Sequence, residues 1–257
     1  MMEEAIVVVS FGTSYPEAKR NSLDQIYGDV VKAFPEKKVL EAYTSSIILK
    51  KLMAEGRPVY SVKEAMDFLK KEHISKVTVL PTHMIPGIEY KKLEGVVKQY
   101  EAEFEEICLL DTVLHKQADC EKIAALVVTL LQIEKGKEYI LMGHGTEDVA
   151  NIRYVQMNEA FLTLGYDNVR IASVEAKPDL WDALEDIEKG PSIVLHPFMV
   201  VAGDHANNDM AGEKDSFKSI LEERGFQVEV IVKGLGEYSE FRREYVAKLS
   251  LSKNGLA

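Results

Sequence analysis

The chain has 257 residues, 46% of them hydrophobic and 28% charged, which suits one large or two small globular domains. Its 31 basic and 42 acidic side chains leave a net charge of −11; that argues against a nucleic-acid partner, whose recognition needs a basic face. No apolar run approaches the ~18 residues of a membrane span, no basic amphipathic stretch points to a membrane surface, and Met1-Met-Glu-Glu lacks the basic start of a secretory leader. The only two thiols, Cys108 and Cys120, have neither metal nor redox spacing and fit a reducing, cytoplasmic setting.

Ala5-Ile-Val-Val-Val9 is a continuous β-branched run, the pattern of a strand buried on both faces of a parallel sheet. Phe11-Gly-Thr-Ser14 breaks it. Thr13 or Ser14 is expected to cap one long helix with Pro16 in its first turn and an apolar stripe of Leu23, Ile26, Tyr27, Val30, Val31 and Phe34. Residues 38–43 read as the second strand and 46–55 as a short helix closed by Gly56. Ser61-Val-Lys-Glu64 is a capping box opening a helix to about Lys71. Strand 77–80 ends in the loop Pro81-Thr-His-Met-Ile-Pro-Gly-Ile-Glu-Tyr90. A helix over 90–104, a strand over 107–111 and a helix over 118–133 follow, and the first half closes near Gly136. The second half repeats the plan: strand 139–142, Gly143-His-Gly-Thr146, helix 149–164, strand 169–174, a helix from the cap Asp179 to about Glu188, strand 192–195, helix 208–224, strand 227–232 and helix 239–249. The tail 250–257 is expected to fray. Strict alternation of strands and helices predicts an α/β fold. Each half should be a flavodoxin-like domain with a parallel four-stranded sheet flanked by helices, one over 1–136 and one over 137–257.

The two halves match in order. Ser-Phe11-Gly-Thr13 aligns with Gly-His144-Gly-Thr146, Leu-Glu41-Ala42 with Val-Glu175-Ala176, and Pro81 through Glu89 with Pro197 through His205. All three matches fall at expected strand carboxyl ends, where open α/β sheets bind ligands, and they imply an internal duplication with a cleft between the copies. The second copy carries His144, Glu175 and His205 where the first carries Phe11, Glu41 and Glu89.

His144 between two glycines is poor packing material and a good candidate ligand. His205 alone would read equally well as a solvent-loop histidine; its matched place makes it a candidate. Glu175 could simply cap a helix. Glu89 is the pseudo-symmetric partner of His205, and His83 shares its loop. His196, before a proline, reads better as a satisfied core histidine, and His73 and His115 lie outside the matched turns. Two imidazoles and a carboxylate suit a borderline divalent metal. None of the fixed-spacing motifs for phosphate loops, dinucleotides, zinc proteases or serine hydrolases is present.

Together, Ile-Val-Val-Val-Ser-Phe-Gly-Thr-Ser, Leu-Pro-Thr-His-Met-Ile-Pro-Gly-Ile-Glu-Tyr, Met-Gly-His-Gly-Thr and Val-Val-Ala-Gly-Asp-His-Ala-Asn-Asn-Asp-Met-Ala-Gly resemble the anaerobic, class II cobalt chelatases. The resemblance covers essentially the whole chain and is most specific at Gly-Asp-His-Ala. It implies insertion of Co2+ as substrate metal into sirohydrochlorin, or its precorrin-2 form, on the oxygen-independent route to cobalamin, with no organic cofactor. It further implies His144, Glu175 and His205 as metal ligands, His144 and His205 as proton acceptors, and Glu89 near the metal. One departure is Val-Glu-Ala-Lys-Pro where Val-Glu-Gly is expected, which puts only the fine shape of that turn in question. The macrocycle's carboxylates would need donors despite the acidic net charge, and Lys91, Lys92, Arg57 and the turn holding Ser10, Phe11, Thr13 and Ser14 are candidates, with His83 lining the same place. The same ligands would serve an iron or nickel chelatase of a related tetrapyrrole, or a metal- or tetrapyrrole-binding protein without turnover. The chain leaves room for a homo-oligomer.

Overall fold

In chain order the computed structural model forms β1 (Glu4–Ser10), α1 (Pro16–Asn21), α2 (Leu23–Ala33), β2 (Lys38–Tyr43), α3 (Ser46–Ala54), β3 (Tyr60–Ser61), α4 (Val62–Lys71), β4 (Lys76–Pro81), α5 (Ile88–Gln99) and β5 (Glu106–Leu109). It continues through α6 (Gln117–Leu131), β6 (Lys137–Gly143), α7 (Ile152–Thr163), β7 (Val169–Ser173), α8 (Leu180–Leu184), β8 (Ser192–Pro197), α9 (Phe217–Glu223), β9 (Gln227–Val230) and α10 (Ser239–Lys253). The structure describes residues 3–187 and 192–253, so the expected helix end at Glu188 and the last four residues of the tail lie outside the described residues.

The chain divides into two compact units. One holds the residues up to His115 together with those from Phe241 on, and the other is Lys116–Glu240. This differs from the boundary expected at 136: α6 goes with the second unit, and α10 returns to the first.

The first unit is a five-stranded parallel sheet in the order β3-β2-β1-β4-β5. The second is a four-stranded parallel sheet in the order β7-β6-β8-β9. Four strands were expected in each. The extra one, β3, is a two-residue edge strand too short to register as a hydrophobic period. Without it the two sheets share one topology, as the duplication requires. The β-branched run of β1 is buried at Ala5 through Val9. Ala5, Val7 and Val9 face α4 and α5 through Ala65, Met66, Leu69, Leu93 and Val97, while the alternate residues Ile6 and Val8 are equally buried on the opposite face. In the second unit Ile140 and Met142 of β6 pack with Leu180, Ala183, Met210 and Leu221.

Two helices depart from expectation. Of the expected stripe, Leu23, Ile26, Val30 and Phe34 are buried, Tyr27 is half-buried and Val31 is exposed; the long first helix is also interrupted at Ser22, whose backbone leaves the helical region and whose hydroxyl bonds back to the Ala18 carbonyl. Its start is capped by neither Thr13 nor Ser14; Tyr15 occupies the N-cap position. The helix expected over 208–224 is instead a π-helical turn, Ala206–Met210, followed by α9. By contrast the capping box of α4 forms, with Ser61 and Glu64 each bonding the other's main-chain N–H.

Main-chain bonds correct one match of the repeat. In the first unit the N–H groups of Thr44 and Ser45 bond the carbonyls of Ser10 and Phe11, and in the second those of Val174 and Glu175 bond the carbonyls of Gly143 and His144. Glu175 is therefore the counterpart of Ser45. Glu41 lies within β2 opposite Val8 and is tied to Lys19 at 3.0 Å. The other matches hold: Thr82 N bonds Val9 O as Phe198 N bonds Met142 O, and Gly12 and Gly145 both take left-handed φ, +100° and +86°.

Candidate functional site

The turn after β6 runs close to its neighbours at both glycines. At Gly145 a Cβ would lie 2.8 Å from the Ala176 nitrogen, on a backbone that already has positive φ. At Gly143 it would press on the Tyr154 ring at 3.1 Å. Tyr154, from α7, is buried and supports the turn: the main-chain N–H groups of Gly145 and His144 reach its hydroxyl, whose pKa burial pushes up to about 12. Asn151 adds a side-chain acceptor for the Thr146 N–H at 3.0 Å.

His144 stands on this turn with its side chain about 40% exposed. Its Nδ1 lies 2.9 Å from the Gly145 carbonyl and 3.5 Å from Glu175 Oε2. His205 enters from the loop after β8, and its ring meets that of His144 edge to face, with centroids 4.4 Å apart. The His205 Nδ1 is 2.7 Å from Asp209 Oδ2. A carbonyl and a carboxylate can only accept, so both imidazoles carry their proton on Nδ1 and, when neutral, keep a lone pair on Nε2. That is the tautomer of an imidazole ready to bind a metal or take a proton. The structure thus brings His144, His205 and Glu175 together, with Glu175 on the Nδ1 edge of His144. Among the described residues no three His, Cys, Asp or Glu side chains form a closed metal-holding group; the arrangement is a chain of pairs, Glu175 to His144 to His205 to Asp209. Asp209 also lines a cavity of about 230 Å3 with Ser173, Asp179, Trp181 and Phe217.

The first unit's candidates are placed differently. Ser10 is buried and its hydroxyl accepts from Thr82 at 2.9 Å. Thr13 is buried and accepts the Tyr15 N–H at 3.2 Å, and the Ser14 carbonyl accepts from Arg57 at 3.1 Å. Phe11, the counterpart of His144, is the exposed member of the turn, at 47%. His83 contacts Thr44 Oγ1 through Nε2 at 3.4 Å, while its buried Nδ1 has no hydrogen-bond partner. Burial holds its pKa down at about 4 against the pull of nearby Glu89, so the ring is neutral. Glu89, in the first turn of α5, receives Lys92 on Oε1 at 2.5 Å, and its Oε2 is buried without a partner. Lys92 and Arg57 are thus engaged within the unit; Arg57 also pairs with Glu55.

His196 is the satisfied core histidine that its sequence position indicates: Nδ1 donates to the Pro197 carbonyl at 2.9 Å and Nε2 accepts from the Tyr238 hydroxyl at 3.1 Å. Sequence reasoning missed Tyr154 and Asp209. The only available signal for Asp209 was its place four residues after His205.

Comparison with known proteins adds the family. The 28% identical sirohydrochlorin cobaltochelatase CbiKC of Nitratidesulfovibrio vulgaris aligns over 94% of this chain and 87% of its own. The sirohydrochlorin cobaltochelatase of Salmonella typhimurium is 30% identical, over 98% of this chain and 97% of its own. Among solved structures, SirB from Bacillus subtilis with Fe3+ shares the fold at a TM-score of 0.66 and 11% identity, covering 98% of this chain and 96% of that one. The model of the cobalt chelatase family CbiK matches residues 4–253, and with a full-length relative of this similarity the chain belongs to the cobalt chelatase (CbiK) family.

Proposed function

We propose that the chain inserts Co2+ into sirohydrochlorin in anaerobic cobalamin biosynthesis, using His144, His205 and Glu175 to hold the incoming metal. Family membership and two near-full-length relatives named sirohydrochlorin cobaltochelatase support the metal and the macrocycle. The observation that carries the residue assignment is the His144–His205 pair, two imidazoles in edge contact with Nε2 lone pairs available on both.

The chemistry follows from proton and ligand balance. Each insertion forms metal–nitrogen bonds to the ring and releases two pyrrole protons. A nitrogen lone pair cannot hold a metal and a proton together. As Co2+ passes from an imidazole Nε2 to a pyrrole nitrogen, the vacated lone pair takes the proton lost from the ring, and two histidines match two protons. Glu175 adds negative charge that favours a dication and bears on the His144 Nδ1–H. Glu89 relays protons released to the histidines; what supports this is its buried, unbonded Oε2 beside the neutral His83. Phe11 offers an exposed aromatic face to the macrocycle, and its turn, with Ser10, Thr13, Ser14 and His83, contacts the same ligand. In support of the expected cleft, both units carry their candidate residues at strand carboxyl ends. A cytoplasmic location belongs to the same proposal, and no helix of the described residues is long and apolar enough to cross a membrane.

The test is the absorbance change of sirohydrochlorin mixed with Co2+, with and without protein, repeated with Ni2+ and Fe2+. The protein is expected to accelerate cobalt insertion over the spontaneous reaction, and His144→Ala to lose about 100-fold or more of that acceleration. No acceleration with Co2+ would leave a binding protein. Full activity in His144→Ala would remove the histidine from the mechanism.

A further inference from the structure

We propose that Asp209 is the positioning residue for His205: its carboxylate holds the imidazole in the Nδ1–H form and so presents Nε2 to the metal. The proposal rests on the reading of His205 as a metal ligand. The contact is a 2.7 Å hydrogen bond from Nδ1 to Oδ2, and a carboxylate facing Nδ1 admits only one neutral tautomer.

The segment that makes the contact is unusual. Ala206–Met210 is a π-helical turn, a geometry that is rare and occurs mostly as single turns at functional sites. The N-cap residue of that turn is His205 itself, and its ring makes no capping hydrogen bond to the turn. The turn is held tightly from both sides: Ala206 and Met210 are fully buried, the Asn207 N–H bonds the Gly203 carbonyl at 3.2 Å, and the Gly212 N–H bonds the Asn208 carbonyl at 3.1 Å. Between those anchors Asp209 and His205 have little freedom to separate. The neighbouring asparagines are engaged elsewhere, Asn207 with the Gly203 carbonyl and Asn208 with Asp204, so neither substitutes for Asp209 at the ring.

The two histidines differ in this respect. The Nδ1 of His144 faces the main-chain carbonyl of Gly145, which no side-chain substitution removes. The Nδ1 of His205 faces a side chain. His144 keeps its main-chain acceptor whatever becomes of Glu175, 3.5 Å from the same nitrogen, whereas the 2.7 Å bond that fixes the His205 tautomer comes from a replaceable side chain, and carboxylates in this position raise the ligating power of the opposite nitrogen.

The experiment is two-bond proton–nitrogen correlation on protein with 15N-labelled histidine at about pH 8.5, where imidazoles are neutral, combined with Co2+ titration. The His205 signals are identified by their loss in His205→Gln. Wild-type His205 is expected as the pure Nδ1–H tautomer. Asp209→Leu should give a tautomer mixture and about 10- to 100-fold weaker Co2+ binding. Asp209→Asn, which keeps an oxygen acceptor and nearly the same volume, should lie between. An unchanged tautomer and Co2+ affinity in Asp209→Leu would overturn the proposal. If the tautomer responds to Asp209 but His205→Gln binds Co2+ like the wild type, the ligand reading of His205 fails, and the carboxylate's role in the metal site fails with it.

Discussion

Histidines in this chain divide by what lies against Nδ1 and by burial. His144 and His205 keep Nδ1 bonded and part of the ring exposed, whereas His196 is 1% exposed and has both nitrogens satisfied inside the second unit. Burial is the largest influence on His196 and holds its pKa at about 4, well below the ordinary imidazole value of 6.5, against the opposing bond to Pro197. Above pH 6.5 the ring is neutral folded and unfolded. Between 6.5 and about 4 the unfolded chain takes up a proton that the folded protein refuses, so stability falls as pH falls through that window. At about 1.4 kcal/mol per pH unit, the contribution lost by pH 4 is on the order of 3 kcal/mol. His83, also held down at about 4 by burial, contributes in the same direction. Urea midpoints measured from pH 7 to pH 4 should decline more steeply for the wild type than for His196→Asn, which keeps a donor near the Pro197 carbonyl but no titrating group. Parallel profiles would mean that His196 titrates in the folded state near its ordinary value.

Elements decide which residues reach the site, and here the sequence is legible in an uneven way. Gly143-His144-Gly145 is readable because each glycine answers a steric demand, one the Tyr154 ring and the other a positive φ against Ala176. Strand identities are readable because both sheets are parallel and their central strands are buried on both faces, leaving unbroken β-branched runs such as that of β1. Glu41 was aligned with Glu175 because a Glu-Ala pair looks alike anywhere; hydrogen-bond register pairs Glu175 with Ser45 instead, and register is set by the whole strand rather than by two residues. Tyr154 could not be read at all, since its partners are main-chain N–H groups of another segment. Asp209 escaped because the expected helix began at 208, whereas the π turn starts two residues earlier and captures His205 at its N-cap. That turn is testable through Gly212, where an added Cβ would lie 2.3 Å from the Asn208 carbonyl oxygen. Gly212→Ala must displace the end of the turn, with an expected loss of about 1–3 kcal/mol in unfolding free energy and weaker Co2+ binding than the wild type. Thermal melts and Co2+ titrations that both match the wild type would show that the close approach is not maintained in solution.

At the scale of the whole molecule, the second unit interrupts the first: the chain leaves the first unit near His115 and returns to it at Phe241. Hydrophobic period could not reveal this, because the apolar stripe of a terminal helix fits the face of either parallel sheet. The returning helix is integral to the first unit. Phe241, Tyr245 and Leu249 of α10 are buried, the Tyr245 hydroxyl donates to the Thr82 carbonyl at 3.1 Å, Arg242 pairs with Asp29 at 2.6 Å, and Lys248 reaches the Asp111 carbonyl at 3.0 Å. Burying three large apolar side chains contributes about 2 kcal/mol each, so α10 supplies roughly 6 kcal/mol to a unit whose entire stability should be of the order of 5–15 kcal/mol. The second unit has no such debt, since its sheet and its core of Ile140, Met142, Ile193 and Leu195 with Leu180, Phe217 and Leu221 come from one continuous stretch. Residues 116–240 expressed alone should therefore fold and melt cooperatively by circular dichroism, whereas residues 1–115 should not until 241–253 are joined to them through a flexible linker. Cooperative melting of 1–115 alone would mean that α10 is dispensable to that core, and failure of 116–240 to fold would place its stability in contacts beyond its own sheet and helices.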